Sequence, residues 1–350
     1  MRNEHAGSGD QSTDPPLTPR TWSSPRHTTS YVEAGPRDGP LMIYLHGWPG
    51  IGLVWRAQIA TFASDGWHCV APDMRGYGGS SAPDAPKAYA LNEIVADMIE
   101  LHDHLGGRPA IWVGHDWGSP VAAALAAHHA ERCRGVVLIS IPYFPNGFAL
   151  SNFLPLIDRA LYPAERYPDG QWDYYRFYQT HFEQTVSDFN ADIPATLASI
   201  YRRGNPAAGG KISPTASVTM NGGRYGAAHR APPTSPDLAL WPPRDFETLV
   251  QEFHADGFRA ANSWYLNDVA NISYAATARE NGRLRQPVLY VGGEWDTICD
   301  VTRSRVGEPM RKSCRDLSLV NLPAGHWVPL ECKNELVTAI RSWVESKGMT

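Results

Sequence analysis

Apolar positions along this chain gather into short continuous runs separated by stretches of helical spacing. Leu41 to Leu45 and Ala110-Ile111-Trp112-Val113 are apolar throughout, and strand-like segments occur at Thr28 to Glu33 and His68 to Ala71. Leu91 to Leu105 has the spacing of an amphipathic helix, an alanine-rich stretch runs from Val121 to Ala127, and Val136 to Ile141 reads as a further strand. Short apolar runs bounded by turn residues and alternating with helices predict an α/β protein with a mostly parallel sheet covered on both faces. The alternation stops near Pro142. From there to Gly282 no buried-strand run occurs, aromatic residues are plentiful, and the stretch from Gly204 to Pro243 is rich in Gly, Pro and Ala. The strand pattern resumes at Pro287 to Gly293, continues weakly at Leu317 to Val320 and ends in an amphipathic helix, Glu335 to Val344.

This pattern divides the chain into a core in two parts, 25–141 and 283–350, with a mainly helical cap inserted at 142–282. Three hundred and fifty residues suffice for a large core and a smaller insertion. Ligand sites in open α/β sheets lie at the carboxyl ends of the strands, so a cap leaving from a strand end covers such a site. Residues 1–24, rich in Ser, Thr, Pro, Gly and charge, are predicted to form a disordered tail.

Charge and cysteine content narrow the function. A formal charge of −5 and a pI near 6.2, with Lys and Arg scattered, provide no basic stripe for nucleic acid or an anionic membrane surface. No apolar run has the length of a membrane span, and Met1 to Pro19 lacks the apolar stretch of a signal peptide, so a cytoplasmic location is expected. Cys69, Cys133, Cys299, Cys314 and Cys332 are odd in number and widely spaced, which suits reduced structural thiols rather than disulfides or a zinc site. Neither a metal nor a cofactor is expected.

Between the run 110–113 and the alanine-rich helix lies Gly114-His115-Asp116-Trp117-Gly118-Ser119. Small residues on both sides of a central position let a strand turn sharply into a helix and push the middle side chain out at the top of the sheet. Alone, a Gly-x-Asp-x-Gly string is usually only a turn; between a strand and a helix it reads as a nucleophile elbow. A carboxylate there attacks an electrophilic carbon by displacement and leaves a covalent ester. Such a nucleophile needs oxyanion donors, a base for the hydrolytic water and an acid to orient that base. His46-Gly47-Trp48-Pro49-Gly50 follows the strand 41–45 and can aim the Trp48 backbone N–H at the site, paired with that of Trp117. Asp296 follows the strand 287–293, with Glu294 and Asp300 as competitors for the acid. His326, in Ala324-Gly325-His326-Trp327, is the candidate base. The chain order nucleophile, acid, histidine, each after a core strand, separates His326 from the other twelve histidines. His46 and His115 are read as packing beside these positions.

Over residues 28 to 346 the chain resembles a soluble-type epoxide hydrolase of the α/β-hydrolase fold superfamily. Asp116 in Gly-His-Asp-Trp-Gly matches the family's nucleophile, Trp48 its oxyanion-hole position, Asp296 its acid and His326 its base. Ala71-Pro72-Asp73-Met74-Arg75-Gly76-Tyr77-Gly78 is similar to the family's loop after the preceding strand. In the cap, Tyr265, within Ser263-Trp264-Tyr265-Leu266-Asn267, resembles the second of two tyrosines that donate to the epoxide oxygen. Tyr174, within Asp173-Tyr174-Tyr175-Arg176-Phe177-Tyr178, resembles the first, with Tyr175 as the alternative one residue on. The resemblance implies conversion of a lipophilic epoxide and water to a vicinal diol through an ester on Asp116, hydrolysed by water that the His326/Asp296 pair activates.

Two other readings share parts of this pattern. A haloalkane dehalogenase uses the same nucleophile and base with a halide donor; here Trp48 follows His46-Gly47 where that family often carries Asn or Glu, and a fluoroacetate dehalogenase would carry arginine at Trp117. A non-catalytic ligand-binding protein on a hydrolase scaffold would be expected to have lost nucleophile, acid or base, and none is lost.

Overall fold

A computed structural model describes residues 16–349. Its apolar runs form one eight-stranded sheet: β1 (Thr18–Ser23), β2 (Thr28–Ala34), β3 (Leu41–Leu45), β4 (His68–Pro72), β5 (Ala110–His115), β6 (Cys133–Ile139), β7 (Leu284–Gly293) and β8 (Cys314–Leu322). The spatial order is β1-β2-β4-β3-β5-β6-β7-β8; β2 pairs antiparallel with both β1 and β4, and all other neighbours pair parallel. β3, β4 and β5 are buried at every position, as strands with helices on both faces must be. From β3 the chain crosses to β4 on one side and later resumes as β5 on the other. The carboxyl ends of β3 and β5 therefore border the crevice where ligands bind in open α/β sheets.

The strand at the sheet edge corrects the expectation of a disordered tail over 1–24. Thr18 to Ser23 pair with Glu33 to Thr28, the Arg20 guanidinium donates to Glu33 Oε1 at 2.7 Å, and Trp22 stacks on His104 at 5.1 Å between centroids. An edge strand needs a partner for its backbone more than apolar side chains, so composition understates it. The tail expectation for residues 1–15 lies outside the described residues. Helix α1 (Arg56–Ser64), between β3 and β4, also escapes the apolar pattern because a polar residue faces inward: buried Gln58 donates to Pro329 O at 2.9 Å. Helices α2 (Leu91–His104) and α3 (Gly118–His128) follow the predicted spacing.

Between β6 and β7 the chain is helical, without strands among its described residues. It contains α4 (Asp173–Thr180), α5 (Phe182–Asn190), α6 (Ile193–Ile200), α7 (Pro243–Asp256), α8 (Arg259–Ser263) and α9 (Asp268–Ala275), with shorter turns among them. This cap is bonded to the core at several points. Arg56 of α1 makes a two-pronged contact with Asp245 of α7 at 2.6 and 2.8 Å. The Tyr201 hydroxyl donates to Pro49 O at 2.9 Å, and the Trp264 indole to Arg75 O at 3.1 Å. Helix α10 (Lys333–Ser346) closes the core.

Arg75, in the loop after β4, is held by a buried carboxylate. Its Nε and Nη2 donate to Asp97 Oδ2 and Oδ1 at 2.7 and 2.6 Å, and Arg26 also contacts Asp97. Asp97 is fully buried and Arg75 nearly so. Removing one charge of such a pair strands the other in the interior at a cost of about 3–5 kcal/mol. We expect Asp97→Asn to lower the unfolding free energy by that amount in urea titrations, with an unchanged denaturant slope; a loss under about 1 kcal/mol would mean that Arg26 and water compensate.

Candidate active site

The turn from β5 into α3 forces Asp116 into the left-handed region, at φ 51°. A non-glycine residue there costs of order 1–3 kcal/mol and persists only where its surroundings over-determine it. Here they do. The Asp116 N–H donates to Ile139 O at 3.2 Å, and its carbonyl accepts from Ser119 N at 2.9 Å. Ser119 Oγ donates toward Gly114 O at 2.8 Å and accepts from Ile139 N at 3.0 Å. Glycine is required on both sides of the approach: a Cβ at Gly118 would lie 2.1 Å from Leu45 O, and one at Gly47 2.3 Å from Asp116 Cβ. The result is a carboxylate 7 % exposed at the carboxyl ends of β3 and β5.

Three predicted side chains meet there with the Trp48 backbone. The Trp48 N–H donates to Asp116 Oδ1 at 2.7 Å. The Trp117 N–H, the second expected donor, stands at the start of α3 in the same turn. His326 Nε2 lies 3.4 Å from Asp116 Oδ2, and its Nδ1 lies 2.9 Å from Asp296 Oδ2. Asp296 Oδ1 in turn accepts from Ile298 N at 2.8 Å. Of the competing acids, Asp300 is bonded to Arg303 at 2.8 Å, and Asp296 is the carboxylate that faces the imidazole. His46 and His115 brace the surrounding loops. His46 Nε2 accepts from Met74 N at 2.9 Å, which puts its proton on Nδ1, 2.9 Å from Gly47 O. His115 Nε2 and Ser140 Oγ both donate to His326 O, at 2.8 and 2.9 Å. Burial pushes both His46 and His115 down to about 4, so both are neutral.

Burial acts on His326 in the same direction, but two flanking carboxylates outweigh it. Asp296 and Asp116 together raise the imidazole to about 10. For Asp296, burial favours the neutral acid while His326 and the backbone N–H groups of Ile298 and Cys299 favour the anion, and the net shift is downward. The resting arrangement is an imidazolium between two carboxylates.

The cap supplies the remaining predicted residues. Tyr174 and Tyr265 are buried with ring centroids 6.1 Å apart, and Tyr265 stands edge-on to Trp117 at 5.3 Å and to Trp48 at 6.0 Å. Both phenols are raised well above the usual value, first by burial and then by neighbouring groups that include the Asp116 charge. The alternative Tyr175 donates its hydroxyl to Asp268 Oδ1 at 2.8 Å. Its proton is already committed.

Sequence reasoning overlooked several residues of this neighbourhood. Asn262 accepts from the Trp48 indole at 2.9 Å. Glu331 accepts from Gly325 N at 3.0 Å, Trp327 N at 3.1 Å and the cap's Gly204 N at 2.7 Å, which clamps the loop carrying His326. Tyr178 packs at 5.1 Å from Tyr265 and 5.4 Å from Tyr174. None sits at a diagnostic spacing: Asn262 and Glu331 reach across to Trp48 and Gly204, far along the chain, and Tyr178 is one of several tyrosines on a single helix. A cavity of about 1180 Å³ opens onto His326 and Asp296, and the stretch 204–233 forms much of its wall. Among the described residues no group of three His, Cys, Asp or Glu is placed to hold a metal ion, and no helix is long and apolar enough to cross a membrane.

Fold and site together define a hydrolase of the α/β class, and comparison with known proteins narrows it. The α/β-hydrolase fold family model matches residues 40–331. Epoxide hydrolase A of Mycobacterium tuberculosis is 30 % identical, with 88 % of this chain and 91 % of that protein aligned. Bifunctional epoxide hydrolase 2 of Sus scrofa is 28 % identical over 90 % of this chain, which spans 53 % of that longer protein. Among solved structures, epoxide hydrolase A of Mycobacterium thermoresistibile superposes with a TM-score of 0.76 at 26 % identity, covering 94 % of this chain and 98 % of that one. The chain therefore belongs to the epoxide hydrolases of the α/β-hydrolase fold family.

The imidazole between two carboxylates generates a titration prediction. A histidine raised from its ordinary value near 6.5 to about 10 contributes stability that is fully present below 6.5 and is lost as pH rises through 10. We expect nitrogen NMR to find His326 protonated at pH 7.5 and to lose that proton near pH 10. Asp296→Asn should move the transition towards 6.5. A wild-type imidazole already neutral at pH 7.5 would contradict the electrostatic account.

Proposed function

We propose that this protein hydrolyses epoxides to vicinal diols, with Asp116 as nucleophile, His326 as base, Asp296 as its orienting acid, Tyr174 and Tyr265 as donors to the epoxide oxygen, and the Trp48 and Trp117 N–H groups as oxyanion hole. One observation carries the reading. A single buried carboxylate accepts the Trp48 N–H at 2.7 Å and lies 3.4 Å from the His326 imidazole, and the buried cap tyrosine Tyr265 stands edge-on to the rings of Trp48 and Trp117 at 6.0 and 5.3 Å.

The chemistry follows from these positions. An Asp116 oxygen attacks an epoxide carbon, the C–O bond of the ring breaks, and a tyrosine proton passes to the departing alkoxide. Esterification removes one of the two negative charges that hold the imidazolium proton. His326 then surrenders that proton, which restores the phenol, and stands as a neutral base facing the ester. Water attacks the ester carbonyl as His326 accepts its proton, and the Trp48 and Trp117 N–H groups stabilise the tetrahedral oxyanion. Collapse releases the diol and the Asp116 carboxylate with the imidazolium restored. No cofactor takes part in these steps, and the partners are a small lipophilic epoxide and water. Two phenol donors suit an alkoxide leaving group, which needs a proton; a halide does not, and this favours the epoxide reading over dehalogenation.

Turnover of styrene oxide, long-chain alkyl epoxides and short bromoalkanes tests the reaction class. Epoxides should be opened and bromoalkanes left intact; the reverse would establish a dehalogenase. Asp116→Asn should fold and show no turnover in freshly prepared protein, and retained activity would remove Asp116 from the mechanism.

Tyr265→Phe should slow alkylation about 10²-fold or more and leave ester hydrolysis unchanged, and Tyr174→Phe should act likewise. Single-turnover kinetics separate the two steps. Tyr175→Phe should be nearly silent in alkylation because its hydroxyl serves Asp268. A Tyr174/Tyr265 double variant working at the wild-type rate would reduce both residues to packing.

A further inference from the structure

Trp48 belongs to two parts of the protein at once. Its backbone N–H, in the loop after β3, donates to Asp116 Oδ1 at 2.7 Å. Its side chain leaves the core and enters the cap, where its ring centroid lies 5.8 Å from that of Tyr178, 5.7 Å from Phe189, 6.2 Å from Phe258 and 6.0 Å from Tyr265. All four rings belong to the segment between β6 and β7. The one polar atom of the indole donates to Asn262 Oδ1 at 2.9 Å, and Asn262 is fully buried. An indole N–H only donates, so the carboxamide oxygen is committed to it. Apolar packing around the ring is non-directional, whereas a hydrogen bond weakens steeply away from alignment. Asn262 is therefore the contact that sets how the Trp48 side chain is turned.

The segment that carries Asn262 is anchored independently of that bond. The Trp264 indole donates to Arg75 O at 3.1 Å, Gln179 Nε2 donates to Tyr265 O at 2.9 Å, and Asn267 Nδ2 donates to Pro86 O at 3.0 Å and Ser263 O at 2.9 Å. Loss of the Asn262 oxygen would therefore release Trp48 and leave Tyr265 in place. The two half-reactions respond differently to such a release, because charge moves in opposite directions at Asp116. During alkylation the carboxylate passes its negative charge to the epoxide oxygen, so the Trp48 N–H bond weakens towards the transition state. During hydrolysis the neutral ester carbonyl becomes an oxyanion, so the same bond strengthens. Only an interaction stronger in the transition state than in the ground state accelerates a step.

We propose that Asn262 is a positioning residue of the oxyanion hole: by holding the Trp48 indole from the cap, it aims the Trp48 N–H at the ester carbonyl and serves the hydrolysis step alone. The cap thus acts in both half-reactions, through Tyr174 and Tyr265 in the first and through Asn262 in the second. This role rests on the covalent ester proposed above. Asn262 itself touches no reacting atom.

Rapid-quench single turnovers test it, with enzyme in excess over styrene oxide or, if it is opened faster, a long-chain alkyl epoxide. The mass of the peptide containing Asp116, followed in time, reads ester formation and ester loss separately. Asn262→Leu removes the acceptor and keeps a side chain of similar shape. Ester formation should stay within about twofold of the wild type, while ester loss slows about tenfold or more, so that the adduct accumulates during turnover. Trp48→Phe, which keeps the backbone N–H and an aromatic ring but lacks the indole donor, should show the same split. The Asn262→Leu/Trp48→Phe double variant should lose its ester no more slowly than the slower single variant, since both changes cut one bond. Ester loss at the wild-type rate in both single variants, an equal slowing of both steps, or single effects that multiply in the double variant would overturn the role while the ester stood. Diol formation with no adduct in any variant, His326→Gln included, would overturn the covalent route and this role with it.

Discussion

The left-handed backbone at Asp116 is the constraint on which the rest of the site depends. A strand that ran straight on from His115 would bury this carboxylate in the sheet; the φ of 51° turns it out instead. That turn is possible because Gly118 lets the start of α3 lie against Leu45 O, and because Gly47 leaves room for the Asp116 side chain beside β3. The close approach of the two strand ends then brings the Trp48 N–H within 2.7 Å of the carboxylate. Strain in the backbone and the donor on the side chain are two consequences of one packing arrangement. Electrostatics follow from it: a carboxylate so placed faces His326 on one side, and with Asp296 on the other side the imidazole keeps its proton.

The cap is part of the same machinery. Trp48 is held from above by Asn262, Pro49 by Tyr201, the loop bearing Arg75 by the Trp264 indole, and the loop bearing His326 by a carboxylate, Glu331, that also binds the cap's Gly204. Each of these bonds joins a residue beside the core chemistry to a segment between β6 and β7. A buried polar network of this kind is stabilising only when its members are satisfied. It ties the position of the two phenols to the position of the nucleophile.

Strands with continuous apolar runs were legible from the sequence because both of their faces are buried, as at Leu41–Leu45 and Ala110–His115. β1 was not, since Thr18–Ser23 owes its place to backbone pairing with β2 and to Arg20 and Trp22 contacts that composition does not report. The boundary of β6 also moved: the run was read to Ile141, but Ser140 adopts a φ of 65° and uses its hydroxyl on His326 O. The predicted site residues carried local marks, glycines around Asp116 and strand ends before Asp296 and His326, and the structure brings their side chains together. The choice between Tyr174 and Tyr175 carried none. It rests on a partner ninety-three residues away, Asp268, which takes the Tyr175 proton. Glu331 and Asn262 were invisible for the same reason, their partners being Gly204 and Trp48.

The covalent ester on Asp116 is the claim from which the roles of the oxyanion hole, the switching base and the phenols all derive. One turnover in ¹⁸O-labelled water, with enzyme in excess over an epoxide, tests it directly. Water that attacks the Asp116 carbonyl leaves its oxygen on the enzyme and sends an oxygen already carried by Asp116 into the diol. The account predicts an unlabelled diol, label in the peptide containing Asp116, and an adduct of substrate mass on that peptide in His326→Gln. A fully labelled diol from the first turnover, with no adduct in the His326 variant, would contradict it.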